Sequence, residues 1–164
     1  MRALGPALAL LLLAGPLPAT AAEAARAMRG PCEDGSCTWF RELSRSVAGA
    51  SARGTLLRLQ IRWWMGKDRE GSGEEEGRQE ILYVLCSGSR PALVGREGRR
   101  WRERPLDPGE PAAADRAAAI AYGWICHGIL PDARSGPALA DLYRSRPATP
   151  RNGRLLQRPE DVLR

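Results

Sequence analysis

Four cysteines are the residues whose type and spacing most clearly predict chemistry. Cys32 and Cys37 flank an Asp-Gly turn sequence, whereas Cys86 and Cys126 stand far from each other along the chain. An even number of cysteines in an oxidising compartment indicates disulfides, and four cysteines allow three pairings. Because the turn brings the first two sulfurs together at little cost, we expect bonds from Cys32 to Cys37 and from Cys86 to Cys126. Structural zinc sites usually show two close pairs, so no metal site is predicted.

His127 is the only histidine, and any histidine-dependent mechanism would have to use it. It adjoins Cys126, but neighbouring helical residues point about 100° apart, and a disulfide would consume the thiol. We therefore interpret His127 as a residue near a helix C-terminus, where the helix dipole favours its cation. The sequence contains no Gly-x-Ser-x-Gly, Ser-x-x-Lys or glycine-rich phosphate loop. It predicts no catalytic residue and no cofactor.

Carboxylates offer another route to catalysis, as the acid pair of a glycoside hydrolase. The acidic side chains in or near predicted elements are Glu80, Glu103, Asp107 and Glu110. Spacing along the chain does not decide between them, because the two groups of a pair can come from any part of a fold. A small envelope hydrolase is therefore one alternative hypothesis, and an inhibitor that inserts the loop at 66–77 into a hydrolase is another.

Arg58, Arg62 and Trp64 are expected on one face of a strand and form the candidate binding surface. Arginine beside an aromatic ring can grip glycans or anionic polymers through charge and stacking. The competing interpretation is an arginine-rich solvent face with the indole under a neighbouring loop. The leading functional hypothesis is a non-catalytic module that binds a protein or an envelope component, such as a glycan, in an oligomeric state that the sequence leaves open.

The first residues predict export. Arg2 precedes an apolar run at 7–14, and small residues at 19–21 match the pattern of a signal-peptidase site. The run is too short to span a bilayer, and no later run approaches the roughly 20 apolar residues of a membrane helix. We expect a signal peptide at 1–21, no membrane span, and a mature chain that is periplasmic or secreted.

The charge pattern argues against nucleic acid as a partner. The formal net charge is +6, and Lys67 is the only lysine. Arginines alternate with acidic residues along the whole chain and do not cluster, which is typical of a solvated surface.

The elements that must position these residues predict an α+β fold, an antiparallel meander sheet of about five strands with an alanine-rich helix packed on one face and two disulfides. The predicted strands are 37–47, 55–65, 80–86, 91–94 and 99–104. We expect a flexible N-terminal segment at 22–30, a single domain at 31–164 and an exposed loop at 66–78.

Periodicity also predicts which faces are buried. In the strand at 55–65, alternation assigns one set of apolar side chains to the core face: Leu57, Leu59, Ile61, Trp63 and Met65. In the helix that ends at Gly128, a wide face is expected to lie on the sheet; it combines a stripe at 113, 117, 120 and 124 with a second stripe at 114, 118, 121 and 125. Tyr122 and Cys126 then lie on the far side, which conflicts with the expected bond to Cys86.

Three short segments carry a resemblance to known proteins: Pro-Cys-Glu-Asp-Gly-Ser-Cys-Thr-Trp-Phe at 31–40, Leu-Cys-Ser at 85–87 and the closing segment at 158–164. In this layout, which covers most of the mature chain, the sequence resembles small exported proteins of Gram-negative proteobacteria with no assigned function. The resemblance implies a periplasmic location and two disulfides. It implies no particular activity.

Overall fold

The computed structural model describes residues 27–67, 73–130, 135–144 and 152–164, apart from the side chain of Glu75. The predicted signal peptide lies outside these residues. The fold is built on a seven-stranded antiparallel sheet in which each strand pairs with the next along the chain. The strands are β1 (Met28–Glu33), β2 (Ser36–Ser51), β3 (Gly54–Lys67), β4 (Arg78–Cys86), β5 (Ala92–Glu97), β6 (Arg100–Pro105) and β7 (Leu155–Leu156).

Two helices accompany the sheet, α1 (Arg116–His127) and α2 (Ser135–Tyr143), and α1 contacts β1 and β4. The α1 helix ends as expected at Gly128, which adopts the left-handed conformation and donates its N–H to the carbonyl of Trp124. Short 3-10 turns lie at Glu74–Glu76, Ala113–Asp115 and Pro159–Leu163. The antiparallel meander is therefore present, with seven strands in place of about five.

Sequence patterns predicted neither of the two additional strands, β1 and β7. Strand β1 begins at Met28, inside the predicted flexible segment at 22–30, of which 22–26 lie outside the described residues. Asp34 and Gly35 both have positive φ and close the turn between β1 and β2, so that Cys32 pairs with Cys37 across the hairpin. Strand β7 pairs with β6 because Leu156 packs into a buried cluster.

Both faces of the sheet are covered. The face toward α1 carries the larger core, which includes Phe40, Leu59, Ile61, Leu82, Val84, Leu93, Tyr122 and Leu139. The opposite face packs under the C-terminal segment through Leu56, Leu85, Ala92, Val94, Leu156 and Val162. A third, smaller cluster on that face contains Ala27, Cys37, Trp39 and Trp64.

The predicted burial along β3 is right in its middle and wrong at its end. Leu59 and Ile61 are buried as expected, but Met65 is exposed and Trp64 is only 5% exposed. The reason is an aromatic pair across the sheet: Trp64 stacks on Trp39 of β2, with ring centroids 6.2 Å apart and planes within 10° of parallel.

The buried face of the helix is rotated relative to the predicted one. One predicted stripe is buried as expected, at Ala118, Ala121 and Ile125. In the other, Ile120 and Trp124 are only partly buried, whereas Tyr122 from the predicted far side is fully buried. The Tyr122 hydroxyl donates to the carbonyl of Ser87 at 3.1 Å and accepts its N–H at 3.1 Å, so the ring can be buried with its polar atom satisfied. This rotation also turns Cys126 toward β4 and removes the conflict with its bond to Cys86.

The structure contains both expected disulfides, from Cys32 to Cys37 and from Cys86 to Cys126. The first closes the hairpin of β1 and β2. The second joins the end of β4 to the last turn of α1, 40 residues later. It therefore fixes the helix to the centre of the sheet.

Candidate ligand-binding cleft

A break in strand pairing opens the sheet on the side of α1. Strands β3 and β4 stay paired as far as Trp63 and Arg78. Strands β4 and β5, by contrast, pair only from Tyr83 to Leu85, although β5 continues alongside β6 to Glu97. The first half of β4 and the second half of β5 therefore separate beyond Leu82 and form the two walls of a cleft.

The cleft has a volume of about 550 Å³ and a mainly apolar lining. Leu82 and Leu93, both buried, come from the sheet, and Trp63 lies beside them on β3. The helical segment opposite contributes Ala114, Ala117 and Ala118. Sites for small molecules usually measure about 300–1,000 Å³ and combine an apolar lining with a few polar groups. The size and lining of this cleft match that description.

Gly95 borders the cleft, and its backbone conformation does not require a glycine at this position. Its φ is not in the positive region, and a Cβ atom added at Gly95 would have no atom within 4 Å. Glycine inside a strand costs roughly 0.5–1 kcal/mol relative to alanine. Such glycines often mark a place where a ligand or another backbone approaches closely. The open space at Gly95 therefore leaves a wall of the cleft unobstructed.

Charged side chains surround the apolar lining. The Nε of Arg102 lies 2.6 Å from a carboxylate oxygen of Glu97, and Arg104 is ion-paired with Asp115. The lining also includes the backbone neighbour of Gly95, Arg96, but its guanidinium lies 5.1 Å above the ring of Trp101.

Two further charges in the lining, Arg78 and Glu80, have no ion pair among the residues that the structure describes. Arg78 lies directly across from Trp63 in the sheet, and Glu80 lies across from Ile61. The indole Nε1 of Trp63 is buried and has no acceptor within the same described residues. Arg78 and Trp63 together therefore provide unused donors at one end of the cleft.

The structure keeps the three residues of the sequence-predicted surface on one face of β3 but does not expose all of them. Trp64 is buried against Trp39. Arg62 lies 3.7 Å from Glu74, whose other oxygen is 2.9 Å from Arg41. Arg58 is half-buried opposite Tyr83.

The carboxylates considered for catalysis are not brought together. Glu80 lines the cleft, but Glu103 is 2% exposed on the other face of the sheet, where Arg154 lies at 2.6 Å and Arg90 at 3.4 Å. Asp107 accepts the backbone N–H of Glu110 at 3.2 Å. Glu103 and Asp107 therefore serve local structure.

His127 takes part in a polar cluster near the long disulfide. Its Nε2 lies 2.9 Å from the hydroxyl of Tyr143, which donates to the hydroxyl of Tyr122 at 3.0 Å. The carbonyl oxygen of Ser87, 3.3 Å from the same hydroxyl, is an alternative acceptor for its single proton. The cluster ties α1 and α2 to the end of β4 and stands apart from the cleft lining.

Sequence patterns missed the cleft because its key glycine resembles a turn residue. Gly95 and Gly98 bracket two charged residues, and we expected all four to connect the strands. In the structure only Gly98, with φ of 59°, lies in the turn, and Gly95 belongs to β5. Strand-forming residues on both sides of Gly95 would have indicated that it belongs to a strand. Only Val94, before it, is of that kind, and Arg96 follows it.

Within the described ranges, no group of three or more histidine, cysteine or acidic residues could hold a metal ion. No helix in that same part of the chain has the length and apolar character to cross a membrane. Comparison of the chain with protein-family models, curated proteins and solved structures finds no match.

Proposed function

We propose that the protein is an exported, non-catalytic module that binds an envelope component with an apolar body in the cleft between β4 and β5. The observation that carries this proposal is the separation of the two strands over an apolar lining of about 550 Å³. Two disulfides are most consistent with an oxidising compartment outside the cytoplasm. A periplasmic or secreted location is part of the proposal.

The arrangement of polar groups favours binding over catalysis. A hydrolase of the kind considered above needs two carboxylates on opposite sides of one reacting bond. Of the acids that line the cleft, Glu97 is held by Arg102 at 2.6 Å, which leaves Glu80 as the acid without an ion pair among the described residues. For the inhibitor hypothesis, residues 68–72 of the loop at 66–77 lie outside the described residues, and Glu74 in its described part is ion-paired with Arg41 and Arg62 of the sheet.

Gly95→Phe is expected to block the cleft without harming the fold. The new ring enters space in which a Cβ atom has no neighbour within 4 Å, and a strand accommodates an aromatic residue better than glycine. We expect binding of the neutral fluorophore N-phenyl-1-naphthylamine to the disulfide-bonded protein to fall at least about tenfold, the loss of roughly 1.4 kcal/mol of contact. Fluorescence titration measures the change.

Gln79→Phe is the matched control, because Gln79 is exposed on the opposite face of the neighbouring strand β4. Its side-chain oxygen Oε1 is 3.4 Å from the side-chain nitrogen Nε2 of Gln60. It adds the same side chain outside the cleft and should leave fluorophore binding unchanged. Equal binding by the wild type and Gly95→Phe, with both proteins folded, would contradict the proposed site.

A further inference from the structure

We infer that the ligand of the cleft is an amphipathic anion, with its apolar body against Leu82 and Leu93 and its anionic head group at Arg78 and the indole N–H of Trp63. The inference rests on the proposed function and specifies the ligand chemistry. Carboxylate, sulfonate and phosphate oxygens share the chemistry that such a pair of donors recognises.

The first argument is the distribution of donors. Arg102 and Arg104 are already paired with Glu97 and Asp115, so their charges are largely compensated. Arg78 has no such partner among the described residues and stands directly across the sheet from Trp63. Arg78 is therefore a positive charge of the lining that no carboxylate holds in an ion pair, and the unpaired Glu80 lies two positions along the same strand.

The second argument is the buried indole nitrogen. The Nε1 atom of Trp63 has no acceptor in the described part of the chain, although its ring packs on Phe40 at 5.1 Å between centroids. A buried donor without an acceptor costs about 1–3 kcal/mol. A ligand oxygen that reached this atom would remove that cost, and Arg78 stands at the paired position of the neighbouring strand.

The third argument is the shape of the apolar surface. From the Trp63 end, the lining continues over Leu82 and Leu93 to Ala117 and Ala118 on the helical side. A molecule with one charged end and an apolar remainder matches this arrangement of donors and apolar surface. A uniformly polar ligand would leave the leucines facing polar groups without compensation.

Glu80 allows a second test of the inference, because its charge is opposite in sign to that of Arg78. The two residues point to the same side of β4, two positions apart, and both line the cleft. Removal of the glutamate charge should therefore favour a bound anion, whereas removal of the arginine charge should disfavour it. Opposite effects from two adjacent charges would not arise from a general loss of structure.

The test compares two fluorophores with one ring skeleton, neutral N-phenyl-1-naphthylamine and anionic 8-anilinonaphthalene-1-sulfonate. Arg78→Gln is expected to weaken sulfonate binding about tenfold, and Glu80→Gln to strengthen it about threefold, as one charge is removed at a solvent-exposed rim. Because both residues line the cleft, binding of the neutral fluorophore is measured for each variant as well, and we expect its affinity to change less than that of the sulfonate. Arg58→Gln, on the opposite face of the sheet, is the matched control and should alter neither.

Displacement of the bound sulfonate then tests the ligand class. Decanoate should compete, whereas decyltrimethylammonium, with an equal chain and opposite charge, should not. An unchanged sulfonate affinity in Arg78→Gln, or equal competition by the cation, would overturn the inference. Displacement by phosphatidylglycerol vesicles but not by decanoate would also overturn it, since the site would then recognise a membrane surface.

The two proposals can fail separately. If the neutral fluorophore does not respond to Gly95→Phe, the cleft is not the binding site and the proposed function fails. If it does respond but the sulfonate shows no dependence on Arg78, the cleft binds apolar molecules without selecting an anion.

Discussion

Replacement of both Cys86 and Cys126 by alanine is expected to lower the free energy of unfolding by about 4 kcal/mol. The reason is the 40-residue separation of the two cysteines, because a long cross-linked loop restricts the unfolded chain strongly. The bond also joins α1 to β4 beside the main core. Denaturant unfolding followed by circular dichroism measures the loss.

The matched comparison is the double replacement of Cys32 and Cys37, which are separated by only five residues. Its expected cost is about 2 kcal/mol, because a short loop restricts the unfolded chain less. A larger loss for this short bridge than for the long one would contradict the account of how the disulfides stabilise the fold.

Tyr122→Ala is expected to destabilise the protein by about 4 kcal/mol, which is typical for truncation of a fully buried aromatic residue. The ring is fully buried in the main core, and its hydroxyl bonds both backbone groups of Ser87. Tyr122→Phe keeps the ring and should cost about 1–2 kcal/mol, since the buried N–H of Ser87 then loses its acceptor. Thermal and denaturant unfolding give both values.

The contrast with the sequence-predicted face makes this test decisive. Had α1 packed through the stripe of Ile120 and Trp124, Tyr122 would lie in solvent and its truncation would cost well under about 1 kcal/mol. A small loss for Tyr122→Ala would therefore restore the predicted orientation and remove the explanation for the Cys86 to Cys126 bond.

Much of the sheet could be predicted because its signals are local. Alternation between apolar and polar residues located β3, and the Asp-Gly sequence located the turn that Cys32 and Cys37 close. These features depend on neighbours a few residues away. A few neighbouring residues in the sequence are therefore sufficient to predict the strand and the turn.

The burial of Trp64 could not be predicted in the same way. Alternation along β3 correctly assigned Trp63 to the face of the main core and Trp64 to the opposite face. The stacking of Trp64 on Trp39 buries the second indole, and that contact is non-local. In α1, nearly every side of the helix is apolar, so periodicity gave no strong orientation, and the bonds from Tyr122 to Ser87 across 35 residues determine it.

The cleft could not be predicted from the sequence for a related reason. It depends on where β4 and β5 stop pairing, which is set by the packing of whole hairpins against α1 and not by a motif. Arg58 and Arg62 were predicted as binding residues because of their charge and their position beside Trp64. Arg78 was not predicted, because its place in the cleft lining follows from the register that sets it opposite Trp63.

The central claim, that the cleft between β4 and β5 is the binding site, is tested most directly by a nuclear magnetic resonance titration with N-phenyl-1-naphthylamine. Trp63 and Trp64 are neighbours on opposite faces, and both have a buried Nε1 without an acceptor among the described residues. We expect the indole signal of Trp63 and the amide of Gly95 to shift, and those of Trp64 and Arg58 to stay unchanged. Shifts at Trp64 and Arg58 with none at Gly95 would contradict the claim.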